Sequence, residues 1–454
     1  MAATSSRLFE AMLRPLQAFF RLEAASGLVL LGCAVAALAW ANLAHESYQV
    51  VFETPVTLGI GDLVARFSVL ELVNDGFMTL FFFVVGMEIK RELVLGELRT
   101  FPQAVLPAIA ALGGMIVPAG IFLAFNAGGP GAPGWGIPMA TDIAFCIGVL
   151  TLLGSRVPHA LIVFVTALAI FDDIGGILVI ALFYGAGVHL EWLLAAAAVT
   201  ATSAMMSRGY VRNGIAWTIA GALLWYTLHH SGIHATIAGV ILGLTIPARP
   251  RRPLHDVIHE LSSYTAALTR ERDDEERDET AVQGIEERLE ELEAPLTRFV
   301  HSLHPWVAFG VMPLFALANS GVHLSGLDPS QLTGRVAVGT TAALFFGKQA
   351  GVFAFTMLAV RAGVARLPGG VSPAKLFGVS VVAGIGFTVA LFIAGLAYPG
   401  TAHLLDEAKI GILAGSLASG IVGALILRST ARLGAAANEP ASEAAAPGAG
   451  ESRA

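Results

Sequence analysis

Long apolar runs separated by short polar connections dominate this chain. Runs near the ~20 residues that cross a bilayer occupy Ala24–Leu43, Leu70–Met87, Pro102–Phe125, Trp135–Leu153, Ala160–Tyr184 and Trp192–Met206. They continue over Gly214–Leu228, Ile233–Ile246, Trp306–Val322, Val336–Val360, Leu376–Tyr398 and Ile410–Leu427. The pattern predicts an all-α polytopic membrane protein with about twelve transmembrane helices. Basic residues then orient the spans. Arg7, Arg14 and Arg21 precede the first; Lys90, Arg91 and Arg99 follow the second; Arg249, Arg251 and Arg252 follow the eighth; Arg428 and Arg432 follow the last. The alternate connections hold few cations, so the excess of Lys and Arg places both termini in the cytoplasm. The first run starts too late and is too long for a cleaved leader, whose apolar part is ~7–15 residues, and it reads as a retained span.

Three stretches depart from this pattern. Glu53–Val69 carries β-branched residues around Gly59-Ile60-Gly61-Asp62 and predicts a small extracytoplasmic β-hairpin. A charged cytoplasmic insert spans 248–303, where Ile285, Leu289 and Leu292 at helical spacing predict a solvated helix with one apolar stripe. The tail, 431–454, is rich in Ala, Gly, Pro and Glu and predicts disorder. The expected organisation is a cytoplasmic N-terminal segment (1–23), helices 1–8 with the hairpin at 53–69 (24–247), the insert, helices 9–12 (304–430) and the tail.

Composition agrees with a membrane class. Only 13% of residues are charged and 55% are hydrophobic, whereas a soluble domain is about 25% charged. The net charge of -7 resides mostly in the insert and says little about partners. No basic patch interleaves with aromatics, so nucleic acid is not implied. Cys33 and Cys146 both lie in apolar runs without metal-ligand spacing, which argues against a disulfide framework or a zinc site.

The informative residues are the polar ones inside the membrane. Asp172 and Asp173 sit side by side in "TALAIFDDIGGILVIALFY". An interfacial cap does not explain them, because apolar residues continue from Leu161 to Ile170 and from Ile174 to Tyr184. A carboxylate at the bilayer centre costs roughly 2.5–3.5 kcal/mol on insertion scales, so such residues default to function. Successive helical residues point about 100° apart, so one can pair with a cation while the other faces a cavity. A third acid lies in "GIPMATDIAFCIGV", where Pro138 and Thr141-Asp142 interrupt the run. That is the signature of a broken helix lining a cavity, with an interfacial N-cap as the alternative. Lys348 in "LFFGKQAGVF" is the matching cation; Gly347-Lys348 lacks the Ser/Thr and the upstream Gly of a P-loop. "VVAGIGFTVALF" places Gly384, Gly386 and Thr388 mid-span. Two interrupted helices in separate halves point to a transporter binding site. Hard monovalent cations prefer oxygen ligands, by extension from calcium and magnesium. Clustered carboxylates in low dielectric cannot all stay charged. A site that binds either a metal cation or protons, on a protein with alternating access, is that of an exchanger.

Several motifs together carry a resemblance. "GMEIKREL", "ATDIAF", "ALAIFDDIGGILVIALFY", "SGIHATIAG", "LHPWVAF", "PLFALANSG", "FFGK" and "GIGFT" are similar to those of the NhaA-type sodium/proton antiporters, in that family's order across nearly the whole chain. The resemblance implies inverted repeats with two discontinuous helices crossing mid-membrane, and electrogenic exchange of Na+ or Li+ for protons in a bacterial inner membrane. It implies Asp173 as principal cation ligand, with Asp172 as its partner, salt-bridged to Lys348. Thr141 and Asp142 would lie at the crossing, where Asp142 offsets positive helix ends and Lys348 negative ones. No cofactor is expected; Na+, Li+ and H+ are the transported ions, membrane lipid is the surroundings, and a homodimer forms through the 53–69 hairpin. Glu88, Lys90, Arg91, Glu92 and His234 are the candidates for pH regulation, against the plainer reading of an anchor with local ion pairs. Val300 stands where the family pattern often carries a glutamate. Asp75 reads as a helix cap or as part of the cytoplasmic funnel.

Other classes compete. Gly59-Ile60-Gly61-Asp62 matches the GxGD of intramembrane aspartyl proteases, but Asp62 sits in a turn with no apolar run around it, so an enzyme is not expected. Channels use rings of equivalent ligands, whereas these acids and the lysine are single and asymmetric. A sodium-coupled symporter of related fold is the nearest rival, and proton release on Na+ addition separates the two.

Overall fold

The computed structural model describes residues 23–60, 63–185, 187–250, 255, 257–260, 262, 294–323, 332–369 and 371–438. In chain order the principal elements are α1 (Glu23–Leu43), α2 (His45–Glu53), β1 (Pro55–Ile60) and β2 (Leu63–Ser68). Then come α3 (Val69–Val94), α4 (Phe101–Asn126), α5 (Ile143–Leu153), α6 (His159–Phe183), α7 (Leu190–Arg208), α8 (Gly214–Ser231) and α9 (Ile237–Thr245). The second half comprises α10 (Pro295–Asn319), α11 (Arg335–Arg361), α12 (Pro373–Val382), α13 (Phe387–Ala397) and α14 (Ala402–Asn438).

Among the described residues, nine helices are long and apolar enough to cross a membrane, or ten when α12 and α13, bent by 47° at their break, count as one span. The remaining two apolar runs became α8 and α9. α8 carries His229 and His230 in its last turn, and α9 has only 9 residues. At 1.5 Å per residue α9 reaches about 14 Å, roughly half of a ~30 Å hydrocarbon core. It lies instead along α3, where a Cβ on Gly86 would come within 2.7 Å of the Val240 carbonyl oxygen.

The hairpin forms as expected. β1 and β2 are antiparallel, in register from Pro55↔Ser68 to Ile60↔Leu63. Ser68 then starts α3 with a capping box: its hydroxyl accepts from Glu71 N, and the Glu71 carboxylate accepts from Ser68 N at 2.8 Å. The connecting Gly61 and Asp62 lie outside the described residues.

Two boundaries differ from expectation. α10 begins at Pro295, inside the stretch assigned to the insert. Leu296 and Val300 are buried one turn apart while His301 and His304 are exposed, so this is an amphipathic start whose polar face hides it from a hydropathy reading. At the other end α14 continues to Asn438, into the tail expected to be disordered. Alanine supports helix as readily as low complexity. Ile285, Leu289 and Leu292 lie outside the described residues, as do 1–22 and 439–454.

Candidate functional site

The site forms where two interrupted helices cross. On one side a 3-10 helix, Ala132–Met139, gives way to extended Ala140–Asp142 before α5 begins. On the other, α12 stops at Val382 and α13 restarts at Phe387. Asp142 N donates to Ile385 O at 2.7 Å, joining the two unwound segments. Gly386 permits this approach, since a Cβ there would sit 3.0 Å from Ala140 O.

Unwinding exposes helix ends in a place without water, and side chains satisfy them. Asp142 caps two helices at once. One carboxylate oxygen accepts from Phe145 N at 3.0 Å in the first turn of α5. The other accepts from Thr388 N at 3.1 Å and from the Thr388 hydroxyl in the first turn of α13. A negative charge between two helix N-termini opposes both positive dipole ends. The N-cap and the broken-helix readings of Asp142 are therefore compatible, because the cap sits at the break and is 1% exposed. Ser416 of α14 adds an acceptor, its Oγ lying 3.3 Å from Gly386 N and 3.2 Å from Phe387 N.

The carbonyl ends are met by donors. Lys348 Nζ donates to Met139 O, at the end of the 3-10 helix, and lies 2.7 Å from Asp172 Oδ2. Both of these side chains have 0% exposure. Thr141 Oγ1 stands 2.7 Å from Asp172 Oδ2 and 3.0 Å from Ala383 O, either of which can accept its single proton. Cys146 Sγ donates to Val382 O at 3.2 Å.

Lys348 reaches this point because of how α11 is built. A π-helical turn over Ala343–Gly347 shifts the helix phase immediately before it. α11 also packs backbone to backbone on α4, where Gly351 faces the Gly113 carbonyl too closely for any Cβ. A Cβ on Gly114 would stand 3.5 Å from Lys348 Nζ.

Asp173 differs from its neighbour. It is 8% exposed and, among the described residues, makes no hydrogen bond or ion pair. Asp172 Oδ1 is likewise buried without a partner. The structure thus sets beside the Asp172–Lys348 ion pair a second carboxylate without a partner among the described residues.

The other candidates fall into two groups. Glu88 Oε1 lies 3.9 Å from His304 Nε2, Arg91 and Glu92 approach to 3.7 Å, and Lys90 Nζ donates to Ile246 O. His234 is not among them. It faces Asp75 at 3.7 Å, holds Thr236 Oγ1 at 2.7 Å and sets its ring edge-on to Phe392. Asp75 lies inside a π-helical turn of α3, Leu72–Phe77, at the hairpin end, about 20 Å from Glu88 at 1.5 Å per residue. It is neither a cap nor a neighbour of the Glu88 group. Ser416 was absent from the sequence reading; its one signal was a serine within the apolar run of α14.

Residues 17–427 match the family described as Na+/H+ antiporter 1. A relative named Na(+)/H(+) antiporter NhaA from Anaeromyxobacter sp. (strain Fw109-5) is 66% identical over 434 residues, 95% of this chain and 95% of the relative. Na(+)/H(+) antiporter NhaA 1 of Myxococcus xanthus (strain DK1622) is 58% identical over 94% of this chain and 95% of its own. The Na(+)/H(+) antiporter NhaA of Oleidesulfovibrio alaskensis is 43% identical over 92% of this chain and 94% of its own.

Proposed function

Because this chain belongs to the Na+/H+ antiporter 1 family, we propose that it exports Na+ or Li+ in exchange for protons, electrogenically, with Asp173 as principal ion ligand. The observation that carries the reading is the pair of adjacent acids in α6, one neutralised by Lys348 and one without a partner among the described residues. A carboxylate removed from water is stable only when protonated or compensated by a cation. Na+ and H+ therefore compete for one group. Alternating exposure of that group to the two sides of the membrane converts the competition into exchange. Thr141, Asp142 and Lys348 hold the broken helix ends around it and let the crossing change shape without stranding backbone dipoles. The protein then serves sodium and pH homeostasis as a multi-pass protein of a bacterial inner membrane, with both termini cytoplasmic. Glu88, Lys90, Arg91 and Glu92 stand as candidates for pH control, and Glu88–His304 is the contact among them that protonation would alter. His234 would act separately through Asp75.

The test is direct. In everted vesicles with an acid interior, Na+ or Li+ is expected to restore the fluorescence of a quenched pH dye, and K+ to leave it quenched. No response to Na+ at any pH in vesicles that contain the folded protein overturns the proposal. Response only to co-transported sodium and solute, without proton release, favours the symporter.

We place the dimer contact at the hairpin. Its two strands leave outer edges that can pair with a second copy, and the hairpin holds none of the intramembrane acids. Deletion of residues 54–68 is expected to shift the protein toward monomer on dilution in detergent while exchange stays measurable. An unchanged dimer fraction by light scattering argues against this contact.

A further inference from the structure

The back of the helix crossing opens to the membrane. A cavity of about 430 Å³ lies between α1, α5 and α14, walled by Leu31, Val35, Phe145, Ile385, Phe387 and Leu417. Its polar contributors are Ser416 and Arg428. The Ser416 hydroxyl is turned inward onto Gly386 N and Phe387 N, which leaves the wall apolar until Arg428. From Leu413 at the inner end to Arg428 at the outer end, α14 rises about 22 Å at 1.5 Å per residue, half of a bilayer that measures ~40–45 Å across its headgroups. The groove therefore has the depth of a single leaflet. Leu31, Val35 and Leu417 are 43%, 57% and 60% exposed, so the groove opens sideways, toward acyl chains.

Its outer end is cationic. Arg428 is exposed, and so is Arg156 on the 3-10 turn Gly154–Arg156 that follows α5 and packs against α14. Neither makes an ion pair among the described residues. Both belong to the end of the bundle that the distribution of Lys and Arg assigns to the cytoplasm, the leaflet that carries anionic headgroups.

We infer that this groove holds one acyl chain of an anionic phospholipid, with its phosphate against Arg428 and Arg156 and its tail packed on Ile385 and Phe387. The tail then packs against the break between α12 and α13. Depth, direction of opening and charge at a single end all specify this occupant over a helix of a second copy, which would need no cationic rim. The inference stands independently of the ion that is transported.

Native mass spectrometry of the full-length protein tests it. Delipidated protein is incubated with phosphatidylglycerol or phosphatidylcholine of identical chains, and retained lipid is counted. Wild type is expected to keep one phosphatidylglycerol with about thirtyfold preference over phosphatidylcholine, about fivefold for each of two surface cations near an anionic headgroup. Exchanging both exposed arginines (Arg428→Gln with Arg156→Gln) should remove the preference. Gly420→Phe should displace either lipid, because a Cβ at Gly420 meets only Ile385 Cδ1, at 3.5 Å, and the ring extends into the groove. Equal retention of the two lipids by wild type overturns the inference, as does an adduct that survives Gly420→Phe. A changed monomer–dimer distribution in Gly420→Phe with the lipid adduct intact assigns the groove to a second copy instead. If Gly420→Phe fails to fold, the arginine exchange at two exposed positions decides alone.

Discussion

Asp173→Asn is expected to abolish Na+-driven and Li+-driven proton movement while leaving a folded, membrane-inserted protein. The substitution keeps shape and volume and removes the charge. Asp173 makes no hydrogen bond or ion pair among the described residues, so little structure depends on its carboxylate. Removal of a charge that has only 8% exposure should if anything raise thermal stability in detergent, since an uncompensated charge in low dielectric opposes folding. The asparagine amide can neither carry a proton off nor neutralise Na+, so loss of transport should be complete at every pH and not a displacement of the pH profile. Dye dequenching in everted vesicles and thermal melting of the same preparation check both halves. Wild-type exchange by the folded variant removes Asp173 from the site.

The second large effect concerns Lys348. Truncation to alanine leaves Asp172 as a fully buried charge and orphans the Met139 carbonyl that Lys348 also serves. Removal of one partner of a buried pair costs about 3–5 kcal/mol, so Lys348→Ala should melt well below wild type as well as transport poorly. Lys348→Arg retains the charge, yet Gly114 of the facing α4 lies so close that a Cβ there would stand 3.5 Å from Nζ, and a larger group in a filled interior costs about 1–3 kcal/mol. Its stability should fall between wild type and alanine. Arginine does not release its proton in proteins, so a displaced pH profile in that variant would show that Lys348 itself carries a proton, and an unmoved profile would show that it balances charge only. The decisive measurement is the double variant Asp172→Asn with Lys348→Gln. Both charges leave together, and the glutamine amide can still donate to Met139 O. It should recover most of the stability lost in either single variant. A double variant as unstable as the sum of the singles would mean that the two residues do not act as partners.

The sequence alone determined the membrane class, nearly all of the spans, the hairpin and the identity of the intramembrane acids and lysine. The reason is energetic. A bilayer rejects charge strongly enough that span length is written in apolar runs and each tolerated charge stands out locally. Sequence reading failed where the signal was not local. The start of α10 at Pro295 is amphipathic and shows itself only once Leu296 and Val300 have a surface to face. α9 is too short to be a span on its own, and its close contact with α3 makes it part of the bundle.

Only the tertiary structure decided what each polar group does. Asp142 and Thr388 are far apart in the chain, and no spacing rule says that one carboxylate caps the helices on both sides of the crossing. Asp172 and Asp173 are neighbours in sequence and chemically identical. Packing from α11 brings Lys348 onto the first and leaves the second without a partner among the described residues. His234 and Glu88 are both pH candidates by resemblance, yet α3 sets Asp75, which His234 faces, about 20 Å along the helix from Glu88, which His304 faces. A sequence fixes which groups must be neutralised in the membrane. Which one is left without a partner depends on where the other helices place their donors, and that is a property of the fold.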